Sequence, residues 1–120
     1  MLCFDTYALV EIANDNPKFT KFNREEFVIT DETLAEFYGV ILREYDEQTA
    51  EYWFRIMSPN SQSVSKELLK EAVKFRCAST AKNFSFFDAV GYVFAKAKGY
   101  KFLTGDREFE GLPNVEFVTK

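Results

Sequence analysis

Residues 84–110 read FSFFDAVGYVFAKAKGYKFLTGDREFE. From Phe86 to Ala95 the run is apolar except for Asp88, which is too apolar for a helix with a fully solvated face. After a turn at Gly99, Tyr100-Lys101-Phe102-Leu103 is short, aromatic-rich and bounded by glycines, as a buried strand is. A helix and a strand that both demand cover point to a layered α/β fold. Each also brings a carboxylate to a place where burial is costly: Asp88 in the first helical turn and Asp106 just past the strand. Buried charges are normally paired, protonated or bound to a cation. Capping explains either residue equally well when taken alone. Ser85-x-x-Asp88 fits a capping box with its charge at the favourable end of the helix dipole, and Asp106 fits a turn cap.

The rest of the chain repeats the pattern. Leu2-Cys3-Phe4 is an apolar strand ending at Asp5-Thr6, and a helical pattern follows through Tyr7, Val10 and Ile12-Ala13 until Asn14-Asp15-Asn16-Pro17 breaks it. Lys18 to Arg24 is a short helix or a loop. Phe27-Val28-Ile29 is a second strand, and Thr30 or Asp31 caps a long helix whose stripe is Leu34, Phe37, Tyr38, Ile41, Leu42 and Tyr45. Trp53, Phe54, Ile56 and Met57 form a helix end or a short strand. The polar stretch 58–65 is linker-like but too short to divide the chain. Ser63 or Ser65 opens a further helix carrying Leu68, Leu69, Ala72 and Phe75, with Arg76 on the same period. Val115-Glu116-Phe117-Val118 alternates as a closing edge strand. Strands separated by helices predict a mostly parallel sheet covered on both faces, in a single domain over residues 1–120.

The chain has no histidine, so Ser–His–Asp and Cys–His mechanisms and histidine-bound metals are excluded within it. Its formal charge of −4 argues against binding to nucleic acid by overall positive charge, though not against a local basic patch. Cys3 and Cys77 lack metal-ligand spacing and read as core thiols of a reducing compartment. No signal segment or membrane-length run is present, so a soluble, cytoplasmic protein with no membrane partner is expected.

In an open parallel sheet, ligands bind at the carboxyl ends of the strands. Three predicted strands lead there to an acid, Asp5, Asp31 and Asp106, with Asp88, Glu32 and Glu36 in early helical turns. Two ionised carboxylates about 5 Å apart repel by about 3 kcal/mol at an effective dielectric of about 20. Several such pairs require protonation or a divalent cation. Oxygen-only ligation favours Mg²⁺ or Mn²⁺, and such an ion can activate water and clamp a phosphate.

These residues resemble the PIN-domain ribonucleases, and the small VapC-like toxins of toxin–antitoxin pairs in particular. Asp5-Thr6 is similar to the family's first acid and hydroxyl, and Thr33-Leu34-Ala35-Glu36-Phe37 to the helix bearing its glutamate. Phe86-Phe87-Asp88-Ala89 resembles its third acid motif and Leu103-Thr104-Gly105-Asp106-Arg107-Glu108-Phe109 its fourth. The four occur in order over essentially the full length. The resemblance implies a three-layer α/β/α domain that cleaves RNA with Mg²⁺ or Mn²⁺. Asp5, Glu36, Asp88 and Asp106 would hold the metal, and Thr6 and Thr104 would hydrogen-bond acids, water or phosphate. It also implies a homodimer and a small antitoxin partner that blocks the site.

Periodicity and resemblance pull apart at one point. Glu36 lies away from the Leu34–Phe37–Ile41 stripe, as a solvent-facing residue would, while Asp31 sits at a strand end as a competing acid or a helix cap. The resemblance selects Glu36. Glu108 or Glu110 could assist, but surface roles suit them better. The same acids serving only as caps and surface charge would make the chain a non-catalytic PIN-like interaction module. A phosphoaspartate mechanism has no motif here beyond acids at strand ends.

Overall fold

The computed structural model describes residues 1–119. Five strands form one sheet in the order β3-β2-β1-β4-β5: β1 is Leu2–Phe4, β2 Phe27–Thr30, β3 Ser61–Gln62, β4 Lys101–Thr104 and β5 Val115–Phe117. All four pairings are parallel, with Leu2 against both Phe27 and Lys101. The helices are α1 (Thr6–Ala13), α2 (Pro17–Thr20), α3 (Asp31–Glu44), α4 (Glu47–Met57), α5 (Lys66–Ala78) and α6 (Phe86–Lys98).

Strand alternation sorts the core into two layers, because successive side chains leave a strand on opposite faces. Phe4, Phe27, Ile29 and Leu103 face α1 to α4, where Leu9, Phe19, Phe37, Ile41 and Met57 bury with them. Cys3, Val28 and Phe102 face the other way and meet Tyr92, Phe94 and Ala95 of α6, backed by Leu68 and Phe75 of α5. The result is an α/β/α sandwich. Its first layer contains the stacked Phe4–Phe27 pair, 4.1 Å between centroids. Its second contains a cluster of Phe75, Phe84, Tyr92, Phe102 and Phe109 rings, centroids 4.5–5.9 Å apart. Such aromatic contacts add to what area burial alone supplies.

Local signals set most boundaries. Asn16 caps α2 through Lys18 N–H, and Pro17 occupies the first helical position, where its missing N–H has no cost. Thr30, rather than Asp31, caps α3 by accepting from Thr33 N–H at 3.0 Å. Ser85 and Asp88 complete a capping box at α6, and Gly99 ends that helix at φ 74°, a left-handed conformation suited to glycine.

Lys18 to Arg24, expected as a short helix or a loop, takes the helical alternative, with a 3-10 helix at residues 21–24 following α2. Other sequence-based expectations are corrected. The polar stretch 58–65 contains β3, which pairs with β2 through Ser61 and Gln62 and carries no apolar residue to announce it. Leu42 and Tyr45 of the α3 stripe are exposed, because a stripe that broad exceeds the face a helix can bury. Cys3 is a core thiol, whereas Cys77 is exposed at the end of α5. Burial, with the Asp5 charge behind it, pushes the Cys3 thiol up to about 12, so it stays protonated and inert. Among the described residues no helix is long and apolar enough to cross a membrane.

Candidate active site

The carboxyl ends of β1 and β4 lie side by side, since Asp5 N–H donates to Leu103 O at 3.0 Å. That pairing puts Asp5, the residue after β1, next to Thr104, the last residue of β4. Thr104 Oγ1 donates to Asp5 Oδ2 at 2.6 Å, and Thr6 N–H donates to Asp5 Oδ1 at 2.8 Å. Asp5 is 3% exposed, so these two bonds are what keep its carboxylate from being an orphan. Thr104 Oγ1 in turn accepts from Asp106 N–H at 3.0 Å. One hydroxyl therefore ties the first acid to the backbone of the last.

Thr6, which opens α1, sends its hydroxyl the other way, donating to Glu36 Oε1 at 2.5 Å. Glu36 is thereby drawn off the solvated side of α3 toward β1, which its periodicity does not suggest. Asp31 goes elsewhere: it is exposed and accepts a hydrogen bond from Ser61 on β3. Asp88 Oδ2 accepts from Ser85 N–H at 3.0 Å, and Asp106 Oδ1 accepts from Glu108 N–H at 3.0 Å as the cap of the 3-10 helix Arg107–Phe109. Glu110 pairs with Arg107 at 3.6 Å on the surface. Gly105 lets the chain pass tightly here. A Cβ on it would stand 2.4 Å from the Tyr7 ring and 2.8 Å from Val118 O, so a side chain at this position would push the β4 end out of place.

The carboxylates feel one another as charges. Burial raises the Asp5 pKa well above the usual carboxylate range, and the charges of Asp88 and Glu36 raise it further against the Thr104 and Thr6 bonds. Burial also raises Glu36, opposed by the Thr6 hydroxyl and Arg43 and reinforced by Asp88. Asp88 is raised by burial and by Asp106, opposed by its Ser85 bonds and by Arg76. Four carboxylates from four separate elements thus share one electrostatic neighbourhood at the strand ends. Among the described residues, however, no three acidic, cysteine or histidine side chains form a ready-made metal-ligand group. Each acid is instead held by its own bonds: Asp5 by Thr104 and Thr6, Glu36 by Thr6, Asp88 by Ser85 and Asp106 by the Glu108 N–H.

A match to the family model described as the PIN domain extends over residues 2–115. The chain belongs to the PIN-domain family. Among solved structures, VapC20 of Mycobacterium tuberculosis, described as a sarcin-ricin loop cleaving toxin, has the same fold. Its TM-score is 0.85 at 15% identity, covering 100% of this chain and 98% of its own. A toxin–antitoxin complex from Klebsiella pneumoniae matches with TM-score 0.76 at 18% identity, over 97% and 96% of the two chains. VapBC2 of Rickettsia felis, solved with a DNA fragment of its promoter, matches at 0.72 and 14%, over 98% and 97%. At these identities the likeness is one of fold. No curated protein sequence matches significantly.

Three features of this PIN-domain protein emerge only in three dimensions. Arg43 and Arg76 offset the charge of Glu36 and Asp88 respectively. A cation on the apolar period of α5 was the available sign for Arg76. One buried carboxylate oxygen of Glu32 lacks a hydrogen-bond partner, and nothing in the local sequence distinguishes it from a helix-start acid.

Proposed function

We propose that this chain is a divalent-metal-dependent endoribonuclease, acting as a single domain and as the toxin of a toxin–antitoxin pair. The observation that carries the reading is the buried Asp5 carboxylate at the strand ends, held by the Thr104 hydroxyl and the Thr6 N–H, with burial and the charges of Asp88 and Glu36 raising its pKa. A fold that gathers destabilising charge at its ligand-binding edge has a functional reason for doing so.

The donor set fits Mg²⁺ or Mn²⁺: the carboxylates supply only oxygen, and the chain has no histidine to favour zinc. Each carboxylate oxygen keeps lone-pair capacity beyond its present hydrogen bond. Asp5, Glu36, Asp88 and Asp106 would hold the ion. When bound, it supplies a Lewis acid for phosphate oxygens and lowers the pKa of water. The chain's own contribution is orientation. Thr104 fixes the Asp5 carboxylate and the Asp106 backbone together, and Thr6 holds Glu36 across from them. The Ser85 bond leaves Asp88 anchored by one oxygen at the start of a rigid helix.

The partner side of the reading rests on two supports. The Klebsiella structure is a toxin–antitoxin complex. In addition, α3 and α4 leave Leu42, Tyr52, Phe54 and Ile56 substantially exposed, apolar area that a homodimer or an antitoxin would cover.

The absence of a ready-made ligand group among the described residues favours a second reading, a non-catalytic PIN-like interaction module. One experiment separates the two. Purified protein is incubated with structured and unstructured RNA, with Mg²⁺ or Mn²⁺ and with chelator. The expected result is cleavage that chelator abolishes and that Asp106→Asn reduces severely. No cleavage would leave the interaction module standing, and cleavage indifferent to both would overturn the metal-dependent reading.

A further inference from the structure

Between the end of α5 and the start of α6 lies a cavity of about 320 Å³, lined by Arg76, Ser79, Thr80, Lys82, Asn83 and Phe86 among others. Its lining includes two cations and no carboxylate. The clefts along α4 and between α5 and α6 mix the two signs, with Glu47, Glu51 and Arg55 in the first and Glu71, Lys74 and Lys96 in the second. A basic cavity in a chain of charge −4 is a local feature that the overall charge conceals.

The cavity and the acidic site share the turn 84–88. Arg76 Nε donates to Phe84 O at 2.8 Å, and the next residue, Ser85, holds Asp88. Among the described residues Arg76 makes no ion pair. Its charge is felt by Asp88, and its Nη groups, in no direct ion pair, can fork onto a phosphate, the geometry guanidinium groups favour. Lys82 is exposed on the same loop, and Phe86 presents a half-buried ring to the cavity wall.

An RNA strand carries a negative charge at every nucleotide, so four clustered carboxylates repel the phosphates on either side of any they act upon. A cationic pocket that shares the 84–88 turn with Asp88 offsets that repulsion, and an aromatic wall accepts a base without regard to sequence. We propose that this cavity is the subsite for a nucleotide neighbouring the scissile phosphate, with Arg76 and Lys82 on its phosphate and Phe86 against its base. The proposal rests on the ribonuclease reading above.

The test compares steady-state cleavage of a short single-stranded RNA by wild type, Lys82→Glu and Arg76→Gln. Lys101→Glu, the same charge change at the exposed amino end of β4, serves as the control. Lys82→Glu is expected to raise KM about tenfold while kcat stays within about twofold. In an Asp5→Asn background, the slope of log binding constant against log salt should become shallower by about 0.7 for each phosphate left unneutralised. Arg76 also supports the Phe84 carbonyl, so Lys82, whose side chain has no such role, carries the test if Arg76→Gln lowers Tm. A wild type that cleaves RNA while Lys82→Glu leaves KM and salt slope unchanged overturns the subsite and spares the ribonuclease reading. So does an equal effect of Lys101→Glu. A wild type that neither cleaves nor binds RNA overturns both.

Discussion

Asp5→Asn is expected to reduce RNA cleavage by roughly a hundredfold or more and, at neutral pH, to raise Tm. The two effects have one cause. Asp5 is buried, and its ionised form is disfavoured by burial and by the charges of Asp88 and Glu36. Asparagine keeps the size and can still accept from Thr6 N–H through its Oδ1, while its Nδ2 can donate to the Thr104 hydroxyl. It removes the charge that a cation and its neighbours respond to. The stability gain depends on pH with a definite sign. A carboxylate whose folded pKa is raised holds its proton when the unfolded chain has released it, so its ionisation costs stability as pH rises. The gap between variant and wild type should therefore be full above the raised folded pKa. It should close as pH falls toward the unfolded value of 3.8. Thermal melts of both proteins across pH, with cleavage assays in parallel, check this. A variant less stable than wild type at pH 7 would contradict the electrostatic account even if its activity were lost.

Mg²⁺ or Mn²⁺ should stabilise the wild-type fold by about 2.7 kcal/mol at a concentration a hundredfold above Kd, and Asp5→Asn much less. Burial first, and neighbouring acids second, raise Asp5, Glu36 and Asp88, and a bound cation would offset both. It also competes with protons for the same oxygens, so the gain should shrink on acidification through the raised pKa range. Asp46 runs the opposite way: its pKa is lowered by the Thr49 bonds, so its contribution is lost as pH falls. Being exposed and far along the chain, it affects both proteins alike and cancels in the comparison. Denaturant titrations at several ion concentrations measure the effect. Equal stabilisation of wild type and Asp5→Asn would place the ion somewhere else.

The layered fold was legible where burial and local conformation agree. Phe4 and Cys3, or Leu103 and Phe102, are neighbours of alternating face, and both faces are apolar, which only a strand covered on two sides needs. The α6 boundaries were legible from Ser85-x-x-Asp88 and Gly99, whose signals are local. β3 was not, because Ser61 and Gln62 gain their strand character solely from pairing with Ile29 and Thr30. Cys77 was misplaced for a related reason: its sequence neighbours are helical, and only tertiary packing decides which side of α5 is covered. At the candidate site, the strand ends pointed to Asp5 and Asp106 from pattern alone, and Asp88 is both the capping-box acid and a charge that Asp5 feels. Glu36 shows the limit. A helical wheel averages apolarity over a face, whereas the position of Glu36 follows from one contact with Thr6, thirty residues away. Only resemblance to a family singled Glu36 out in the sequence.

The central claim is that one ion answers the charges of Asp5, Glu36, Asp88 and Asp106. A crystal grown with Mn²⁺ and measured at the manganese absorption edge tests it most directly. The account predicts an anomalous peak among those four carboxylates that disappears in Asp5→Asn. Crystals soaked to saturation with no peak there, or with manganese bound only at other surface acids, would contradict it.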